Sequence, residues 1–369
     1  PIIARATALA WLMSESTSVA IAGTHGKTTT TAMLTVALQS AGLDPSFAIG
    51  GTINTAGTNA HSGTGKIFVA EADESDGSFL AYKPTGAIIT NIELDHVDHF
   101  PNEDAVFEVF EQFVSSIKQG GFLVACGDDV GVNTLLKRIK RSDLQIHLYG
   151  KGSSNDFRID KIHLAPKGSS SVVSSTGRKV GELNLAVAGE HNLLNGLAAF
   201  TAACALGAAE SKVLDGLASF TGTKRRFELK GEVGGVKVID DYGHHPTEVN
   251  VTLITAKNLA QAGRVIVIFQ PHRYSRTAAF ATQFSTSLAL ADFTYLLEVY
   301  AASEKPLPGV SSLLIAKAMN PQQVKFEPSM VEVVNEVVAM ARSGDVILTL
   351  GAGDVSSLGE PILQALANR

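Results

Sequence analysis

The chain has 369 residues and a formal net charge of −6, and 45% of its residues are hydrophobic. This length favours two domains, and the composition, with 34 glycines, is typical of a globular α/β protein with many tight turns. The acidic balance argues against a nucleic-acid partner, because binding to a phosphate backbone usually needs a basic face. Cys126 and Cys204 form no C-x-x-C pair and no cluster with histidine, so we expect neither a disulfide framework nor a structural zinc site.

No stretch of the sequence predicts a membrane span or a secretory signal. The longest nearly apolar run, Leu193–Ala209, is interrupted by Asn195 and Thr201 and is shorter than the roughly 18 residues that a span needs. No charged stretch followed by an apolar one opens the chain. We therefore expect a cytoplasmic protein that does not bind membranes. Because the chain begins with Pro1 rather than Met, we also expect it to be a processed or trimmed part of something longer.

Short apolar runs alternate with helical stretches in the first part of the chain. The predicted strands are Ser18–Gly23, Lys66–Glu71, Gly86–Ile92 and Phe122–Cys126, and the predicted helices are Thr28–Ser40 and Asp104–Lys118. This alternation indicates βαβ units and a mainly parallel sheet. Between Ile146 and Val187 short alternating stretches predict a small antiparallel sheet instead, and an Ala-rich helix follows near His191–Leu206.

A polar, glycine-containing gap at Thr221–Lys224 predicts a domain boundary. Strands and helices alternate again beyond it, with predicted strands at Val236–Asp240, Val265–Phe269, Phe293–Leu297 and Val346–Leu350 and predicted helices at Pro246–Ala260, Ala278–Leu290, Met330–Ala341 and Leu358–Ala367. We therefore predict an α/β protein with two domains. Residues 1–222 form a central domain with a P-loop-type, mostly parallel sheet and a small antiparallel addition, and residues 223–369 form a smaller Rossmann-like α/β domain.

The strongest local signal is an apolar strand that runs into a Gly-x-x-Gly-Lys-Thr loop followed by a helix. Glycines let backbone N–H groups point at phosphate oxygens, and the helix N-terminus adds the positive end of its dipole. In such loops the lysine reaches the β/γ-phosphates and the next hydroxyl ligates Mg²⁺. Because Ile21 stands where the longer motif has its first glycine, this is a shortened P-loop, and an ordinary strand–turn–helix junction is the alternative. The predicted nucleotide-binding residues of the loop are Gly23, Thr24, His25, Gly26, Lys27, Thr28 and Thr29.

Acidic residues and histidines follow the next two predicted strands. Glu71–Asp76 contains four carboxylates, and Asn91–His99 combines histidines with further carboxylates. Ligands of open α/β sheets bind outside the carboxyl ends of the strands, and hard oxygen ligands suit Mg²⁺. A solvated polar turn is the alternative for each stretch taken alone.

Polar clusters also mark the second half of the chain. Gly189–Asn195 carries Asn and His side chains that suit a purine edge, with helix capping as the alternative. Lys224–Phe227 contains two arginines, which suit planar oxyanions but are equally typical of a surface pair. Asp240–Pro246 and Gln270–Thr277 end neighbouring predicted strands and would line one crevice, whereas a tight turn explains Gly351–Asp354 about as well as a site does.

Taken together, these motifs resemble the Mur ligase family. The matching stretches occur in the family's order and span nearly the whole chain: Gly23–Thr31, Glu71–Asp76, Asn91–Asp98, Gly189–Asn195, Arg225–Phe227, Asp240–Glu248, Phe269–Thr277 and Gly351–Asp354. The runs Asp241–Glu248 and Gln270–Tyr274 most resemble the members that join L-alanine to UDP-N-acetylmuramate.

The resemblance implies an ATP-dependent ligase of peptidoglycan synthesis that uses Mg²⁺ and small-molecule substrates, namely ATP, L-alanine and UDP-N-acetylmuramate. It implies that Lys27 and Thr28 contact the ATP phosphates and Mg²⁺, and that Glu71 and His96 ligate Mg²⁺. It further implies that His191, Asn192 and Asn195 lie on the nucleotide side, that Arg226 and Asp241 close on ATP, and that His244, His272, Arg273 and Arg276 surround the acceptor and the amino acid. We expect a monomer or a weak homodimer.

The sequence departs from the family in two places. Several members carry a carbamoylated lysine that bridges Mg²⁺, and counting from Asp95 places Glu111 at that position, so a native carboxylate is the predicted ligand here. Family members also carry an N-terminal domain that binds the UDP moiety, and this chain begins almost where that domain ends. We therefore expect the chain to fold, to bind ATP with Mg²⁺ and to ligate poorly unless the upstream domain is restored.

Other functions share the phosphate loop. Murein-peptide recycling ligases and folylpolyglutamate synthases are alternatives within the class. From other classes, a P-loop kinase, a nucleotide switch or a non-enzymatic nucleotide-binding module fits the same loop. Release of ADP that depends on both an amino acid and a muramate acceptor distinguishes a ligase from a switch.

Overall fold

The structure, a computed structural model, describes residues 2–369, which fall into two compact units divided between Thr223 and Lys224. We call them the N-terminal unit and the C-terminal unit. Each is an α/β unit with its own sheet and its own hydrophobic clusters. Among residues 2–369, none of the helices combines the length and the hydrophobicity that a membrane span requires.

The N-terminal unit contains one twisted sheet with helices on both faces. Its strands are β1 (Thr17–Ala22), β2 (Ser46–Ala48), β3 (Ala60–His61), β4 (Ile67–Glu71), β5 (Gly86–Ile89), β6 (Phe122–Cys126), β7 (Gln145–Gly150), β8 (Phe157–Ala165), β9 (Gly168–Ser175) and β10 (Arg178–Leu185). Its helices are α1 (Arg5–Ser14), α2 (Lys27–Ser40), α3 (Glu103–Ser116), α4 (Val130–Arg138), α5 (Glu190–Ala205) and α6 (Glu210–Ala218), with a 3₁₀ turn at Ser78–Ala81.

The strand order of this sheet is β10-β9-β8-β7-β6-β5-β1-β4-β2-β3. Within this order, every neighbouring pair from β8 across to β2 is parallel, as the alternation of strands and helices predicts. The short edge strand β3 pairs antiparallel with β2. The chain leaves β1 toward β2 and returns through β4 to β5 on the other side of β1. The strand order therefore reverses at β1, and the carboxyl ends of β1, β4 and β5 lie side by side at the place where open α/β sheets bind ligands.

The antiparallel addition extends this same sheet. β8 continues from β7 through two parallel pairs, Tyr149 with Phe157 and Gly150 with Arg158, and then pairs antiparallel with β9. Without β8, the hydrogen-bonding groups at the end of β7 would form an open sheet edge. The hairpin strands thus cover an edge as well as forming the predicted antiparallel element.

Residue alternation along β1 shows why helices cover both faces of the sheet. Val19 and Ile21 belong to the hydrophobic cluster under α2 and α5, whereas Ala20 and Ala22 belong to the cluster under α3 and α4. Successive side chains of a strand point to opposite faces, so an uninterrupted apolar run predicts burial on both. α2 is threonine-rich yet buried, because hydroxyls such as those of Thr31 and Thr35 donate to backbone carbonyls one turn earlier, each at 2.8 Å.

The C-terminal unit has a six-stranded sheet in the order β11-β12-β16-β13-β14-β15. Its strands are β11 (Glu228–Val233), β12 (Val236–Asp241), β13 (Val265–Phe269), β14 (Phe293–Leu296), β15 (Val324–Phe326) and β16 (Val346–Leu350). Its helices are α7 (Pro246–Ala260), α8 (Tyr274–Leu288), α9 (Leu313–Ala316), α10 (Met330–Met340) and α11 (Gly359–Ala367), with a 3₁₀ turn at Asp354–Leu358. β16 lies between β12 and β13 and is parallel to both, so the loops after these three strands emerge together.

Helix starts in this unit show which local signals are decisive. α7 begins at Pro246, as predicted, because His245 and Glu248 form a capping box and Pro occupies the first turn. α8 begins at Tyr274, four residues before the predicted start at Ala278, and contains a kink at Phe280. A carboxylate distant in sequence, Glu304, accepts a hydrogen bond from the Ser275 N–H at 3.0 Å and so caps a turn that local sequence does not reveal.

Candidate active site

Three loops of the N-terminal unit begin side by side. β1 pairs with β4 through Ile21 and Glu71 and with β5 through Ala22 and Ile89. The phosphate loop after β1, the acidic turn after β4 and the Asp-His stretch after β5 are therefore neighbours. The structure thus brings together three motifs that are distant in the sequence, with hydrogen bonds that span as many as 69 residues.

The conformation of the phosphate loop requires its two glycines. Gly23 and Gly26 have φ angles of +130° and +82°, which favour glycine. A Cβ atom at Gly23 would lie 2.1 Å from the Thr90 hydroxyl, and one at Gly26 would lie 2.6 Å from the side-chain oxygen of Asn195. The backbone can thus pack tightly only without side chains here, as expected for a loop that presents N–H groups to phosphates.

Hydrogen bonds from the third loop hold the phosphate loop in place. The Thr24 N–H donates to the Asn91 carbonyl at 3.0 Å, and the His25 N–H donates to the Asn91 side-chain oxygen at 2.8 Å. The Thr90 hydroxyl donates to the His25 carbonyl at 2.6 Å. These hydrogen bonds fix the conformation of the loop, which favours a binding site over a surface turn.

Lys27, the first residue of α2, folds back over the loop. Its ammonium group donates to the carbonyls of Gly23 at 2.6 Å and Thr24 at 3.2 Å and to the Glu74 carboxylate at 2.9 Å. Burial works to lower the pKa of Lys27, but the carboxylates of Glu74 and Asp73 outweigh it and raise this pKa. Burial also raises the pKa of Glu74 to about 7, although the charge of Lys27 opposes that shift.

Oxygen ligands suited to a divalent cation lie beside this lysine. The Thr28 hydroxyl donates to the Glu71 carboxylate at 2.9 Å, and the other Glu71 oxygen accepts from the Gly50 N–H at 2.6 Å. Asp73, Glu74 and His96 form a second group whose potential ligand atoms all lie within 4.8 Å of one another. These hydroxyl, carboxylate and imidazole groups fit a Mg²⁺ ion that is bound with substrate phosphates.

Glu111 belongs to neither of these two groups. It lies on α3, whose buried side consists of residues such as Val106, Phe110 and Phe113. Its carboxylate accepts a hydrogen bond from Arg138 at 3.3 Å on the partly exposed side of the helix. The position reached by counting is thus occupied by an ion pair, and a metal role for Glu111 stays a prediction.

The start of α5 also reaches the phosphate loop. Asn195 lies against Gly26, and its amide donates to the Asn192 side chain at 3.4 Å. Asn192 in turn donates to the Ala188 carbonyl at 2.7 Å, so both asparagines are held in place. Burial lowers the pKa of His191 to about 4, against the smaller opposing effect of Glu190. His191 is therefore uncharged at neutral pH.

The lowered pKa of His191 predicts a dependence of stability on pH. Between pH 6.5 and about 4 the unfolded chain binds more protons at this residue than the folded chain, so the free energy of unfolding should fall as the pH falls through this range. His191→Gln should make that fall shallower, whereas His163→Gln at an exposed position should not. Urea unfolding midpoints at several pH values measure the difference, and equal slopes for the two variants would contradict the prediction.

In the C-terminal unit, Asp241 organises the turn after β12. Its buried carboxylate accepts hydrogen bonds from the N–H groups of Phe227 at 2.7 Å and Gly243 at 2.8 Å and from the Thr252 hydroxyl at 3.2 Å. Burial raises its pKa to about 6, opposed by the charge of Arg226. These contacts give Asp241 a structural role within its own unit, and its predicted contact with ATP stays a prediction.

The two arginines after the domain boundary occupy different environments. Arg225 donates to the Gly351 carbonyl at 2.7 Å and thereby links the segment before β11 to the loop after β16. Arg226 lies over the ring of Tyr242 at 5.1 Å and 3.9 Å from the Glu248 carboxylate. Both guanidinium groups lie over the Tyr242 ring and are equally exposed, but only Arg225 donates to the loop after β16.

Two histidines meet at the carboxyl ends of β12 and β13. The ring centroids of His244 and His272 are 5.7 Å apart, and the His272 ring stacks on Tyr300 at 5.7 Å with an interplanar angle of 13°. Arg276 is 2% exposed and lies with its guanidinium 3.2 Å from His272 Nδ1. The residues of the two strand-end clusters therefore contact each other within the C-terminal unit, and the crevice that they would line stays a prediction.

Three residues of these arrangements were not among the predicted site residues. Glu74 contacts Lys27, Tyr300 stacks on His272, and Glu304 accepts from the Ser275 N–H and lies 3.9 Å from Arg273. Glu74 stands in an acidic run in which the sequence alone does not single it out. Tyr300 and Glu304 lie in a loop after β14 that carries no recognisable motif.

Comparisons with known proteins identify the family of the chain. Residues 21–203 match the Mur ligase middle domain, and residues 225–353 match the Mur ligase, glutamate ligase domain. The chain is 48% identical over 368 residues to a UDP-N-acetylmuramate–L-alanine ligase of Renibacterium salmoninarum, and this alignment covers 99% of the chain and 78% of that protein.

Solved structures show the same similarity. A UDP-N-acetylmuramate–alanine ligase of Thermotoga maritima aligns with 97% of this chain and 77% of its own, at 27% identity and a TM-score of 0.80. A murein peptide ligase of Psychrobacter arcticus aligns with 99% of this chain and 80% of its own, at 27% identity and a TM-score of 0.73. The chain therefore belongs to the Mur ligase family of ATP-dependent ligases.

Proposed function

We propose that the chain joins L-alanine to the carboxylate of UDP-N-acetylmuramate at the expense of ATP. The observation that carries this proposal is the identity of about half of all residues, along nearly the whole chain, to relatives that are named UDP-N-acetylmuramate–L-alanine ligase. The preformed loop around Lys27 supports the ATP part of the reaction. The polar strand ends of the C-terminal unit support the amino-acid part.

The proposed reaction proceeds through an acyl phosphate. An oxygen of the substrate carboxylate attacks the γ-phosphorus of ATP, the bond to the β,γ-bridging oxygen breaks, and ADP leaves. The amine of L-alanine, after loss of a proton, attacks the carbonyl carbon, and the tetrahedral intermediate expels inorganic phosphate. The chain contributes mainly by positioning these groups and neutralising their charge, as in other phosphoryl transfers.

The phosphate loop supplies the nucleotide contacts in this proposal. The N–H groups at Gly23–Thr29 and the N-terminus of α2 bind the phosphates, and Lys27 neutralises charge on the transferring group. His191, Asn192 and Asn195 lie on the nucleotide side, and the contact of Asn195 with Gly26 supports that placement for one of them. Arg226 and Asp241 are the proposed nucleotide contacts of the C-terminal unit.

Thr28, Glu71 and His96 would hold Mg²⁺, which supplies charge neutralisation at the phosphates when bound. The fit rests on the contact between the Thr28 hydroxyl and the Glu71 carboxylate and on the position of His96 beside Asp73 and Glu74. Glu111 is the fourth predicted ligand. Because it pairs with Arg138, a Glu111→Gln variant with an unchanged Mg²⁺ requirement would remove it from the set.

The strand ends of the C-terminal unit are proposed to bind the acceptor and the amino acid. Arg273 and Arg276 suit a carboxylate, because a guanidinium donates two parallel hydrogen bonds to it. His244 and His272 lie beside them and orient polar groups of the substrates. The stacking of Tyr300 on His272 holds that ring in one orientation.

The proposed function predicts a specific dependence on substrates. Release of inorganic phosphate from ATP should require L-alanine and UDP-N-acetylmuramate together, and omission of either should reduce it to background. A coupled phosphate assay measures this dependence, and the pattern of requirements is the criterion whatever the absolute rate. Phosphate release that ignores the amino acid would instead indicate a nucleotide switch or a kinase.

Murein peptide ligation is the second candidate, because the Psychrobacter arcticus structure is as similar in sequence as the Thermotoga maritima one. The two functions differ in the amine that is joined to the muramate. The same assay with the tripeptide L-alanyl-γ-D-glutamyl-meso-diaminopimelate in place of L-alanine separates them. Higher kcat/KM for the tripeptide would favour the second candidate.

A further inference from the structure

Glu74 is a buried carboxylate with an unequal distribution of partners. The residue is 2% exposed, and Oε1 accepts a hydrogen bond from the Lys27 ammonium at 2.9 Å. Within the described part of the chain, Oε2 has no hydrogen-bond partner. The carboxylate also lies close to Asp73 and His96, with potential ligand atoms within 4.8 Å of one another.

The position of Lys27 depends on this carboxylate. An ammonium group has three protons, and here the carbonyls of Gly23 and Thr24 and the carboxylate of Glu74 accept one each. Of the three acceptors, only Glu74 can carry a full charge, and it comes from a different strand end. Glu74 therefore sets the direction in which the ammonium group points.

The second oxygen of Glu74 argues against a purely structural ion pair. A buried polar atom without a partner is destabilising, so native structures rarely retain one without a reason. A glutamine would pair with Lys27 through one oxygen and avoid the buried charge. The negative charge of Glu74 is thus better explained by a role in the reaction than by the ion pair with Lys27 alone.

We propose that Glu74 is a positioning residue for Lys27, which holds the ammonium group where it neutralises charge during γ-phosphoryl transfer and which weakens binding of the triphosphate in the ground state. This inference rests on the proposed ATP-dependent ligation. The carboxylate competes with the phosphates for the same ammonium group and repels them. An interaction that disfavours the ground state and orders the transition state raises turnover rather than affinity.

Glu74→Gln is the decisive variant, because it keeps the size of the side chain and an acceptor for Lys27 but removes the charge. We expect kcat to fall by about 10- to 100-fold, by analogy with the range found when residues that orient metal ligands are replaced. We also expect the β,γ-imido analogue of ATP to bind more tightly, by up to about fivefold, with ADP affinity unchanged. Calorimetry with the two nucleotides and Mg²⁺ measures the affinities, and phosphate release measures kcat.

Two further variants separate positioning from other effects. Glu108→Gln makes the same chemical change at an exposed site on α3 and should alter neither nucleotide affinity nor kcat. In a Lys27→Met background, Glu74→Gln should cause no additional loss of kcat, because the group that it positions is absent. The melting temperature of every variant is recorded alongside.

Each result supports or overturns the inference. Weaker binding of both nucleotides together with a lower melting temperature would show that Glu74 is only structural. An equal fractional loss of kcat with and without Lys27 would show that it acts independently of that lysine. Failure of the proposed ligation has a different signature, since the wild-type chain would then show no alanine-dependent phosphate release while the binding measurements would still report on Glu74.

Discussion

Replacement of Lys27 by Ala is expected to slow alanine-dependent phosphate release by about 10²- to 10³-fold, the usual effect of removing one donor that stabilises transition-state charge. The expectation follows from the position of Lys27 at the first turn of α2, where its ammonium group lies over the carbonyls of the phosphate loop. No other lysine side chain belongs to the loop between Gly23 and Thr29. The loss therefore has no local substitute.

The control for Lys27→Ala is Lys167→Ala, which removes the same charge from the exposed turn between β8 and β9. Phosphate release is measured at saturating ATP, so that a change in binding does not hide a change in turnover. Circular dichroism checks that both variants fold. Turnover of Lys27→Ala within twofold of the wild type would exclude a role for this lysine in phosphoryl transfer.

Replacement of Glu71 by Ala is expected to lower phosphate release by about 100-fold and to raise the Mg²⁺ concentration needed for half-maximal activity. Glu71 ends β4 and accepts hydrogen bonds from the Thr28 hydroxyl and the Gly50 N–H. Its loss therefore removes one proposed Mg²⁺ ligand and also the hydrogen bond that orients a second one, Thr28. A titration with Mg²⁺ at fixed ATP measures the requirement.

Glu108→Ala is the matched control for this variant, since it removes a carboxylate from an exposed site on α3. The melting temperature of Glu71→Ala distinguishes loss of metal binding from loss of the contact with the Gly50 N–H. A variant that folds normally and shows the wild-type Mg²⁺ requirement would place the cation elsewhere.

The parts of the site that are local in sequence were predictable. The strand that ends at Ala22, the turn glycines and the helix that begins at Lys27 follow from one another within about 20 residues. The capping box of His245 and Glu248 marks the start of α7 for the same reason. The resemblance to the Mur ligases also depends on short motifs in a fixed order, and the family comparisons confirm it.

Contacts between distant residues were not predictable in the same way. Glu74 is 47 residues from Lys27 and stands among other carboxylates, so nothing local distinguishes it as the buried one. The metal role of Glu111 is predicted by counting residues from Asp95. In the structure its carboxylate on α3 instead accepts a hydrogen bond from Arg138 on α4, 27 residues further along the chain. Counting residues identifies a position on the helix. Whether the side chain at that position faces the site depends on which face of the helix is buried against the sheet.

Sequence patterns were sufficient to predict the α/β fold class and the family, because periodicity, glycine positions and short motifs act over a few turns. The tertiary structure was needed to show that β8 extends the main sheet, that Glu74 contacts Lys27 and that Tyr300 stacks on His272. These contacts depend on strand order and on which side chains are excluded from water. Both are settled by packing across the whole unit, since the free energy of burial depends on neighbours that are far apart in the chain.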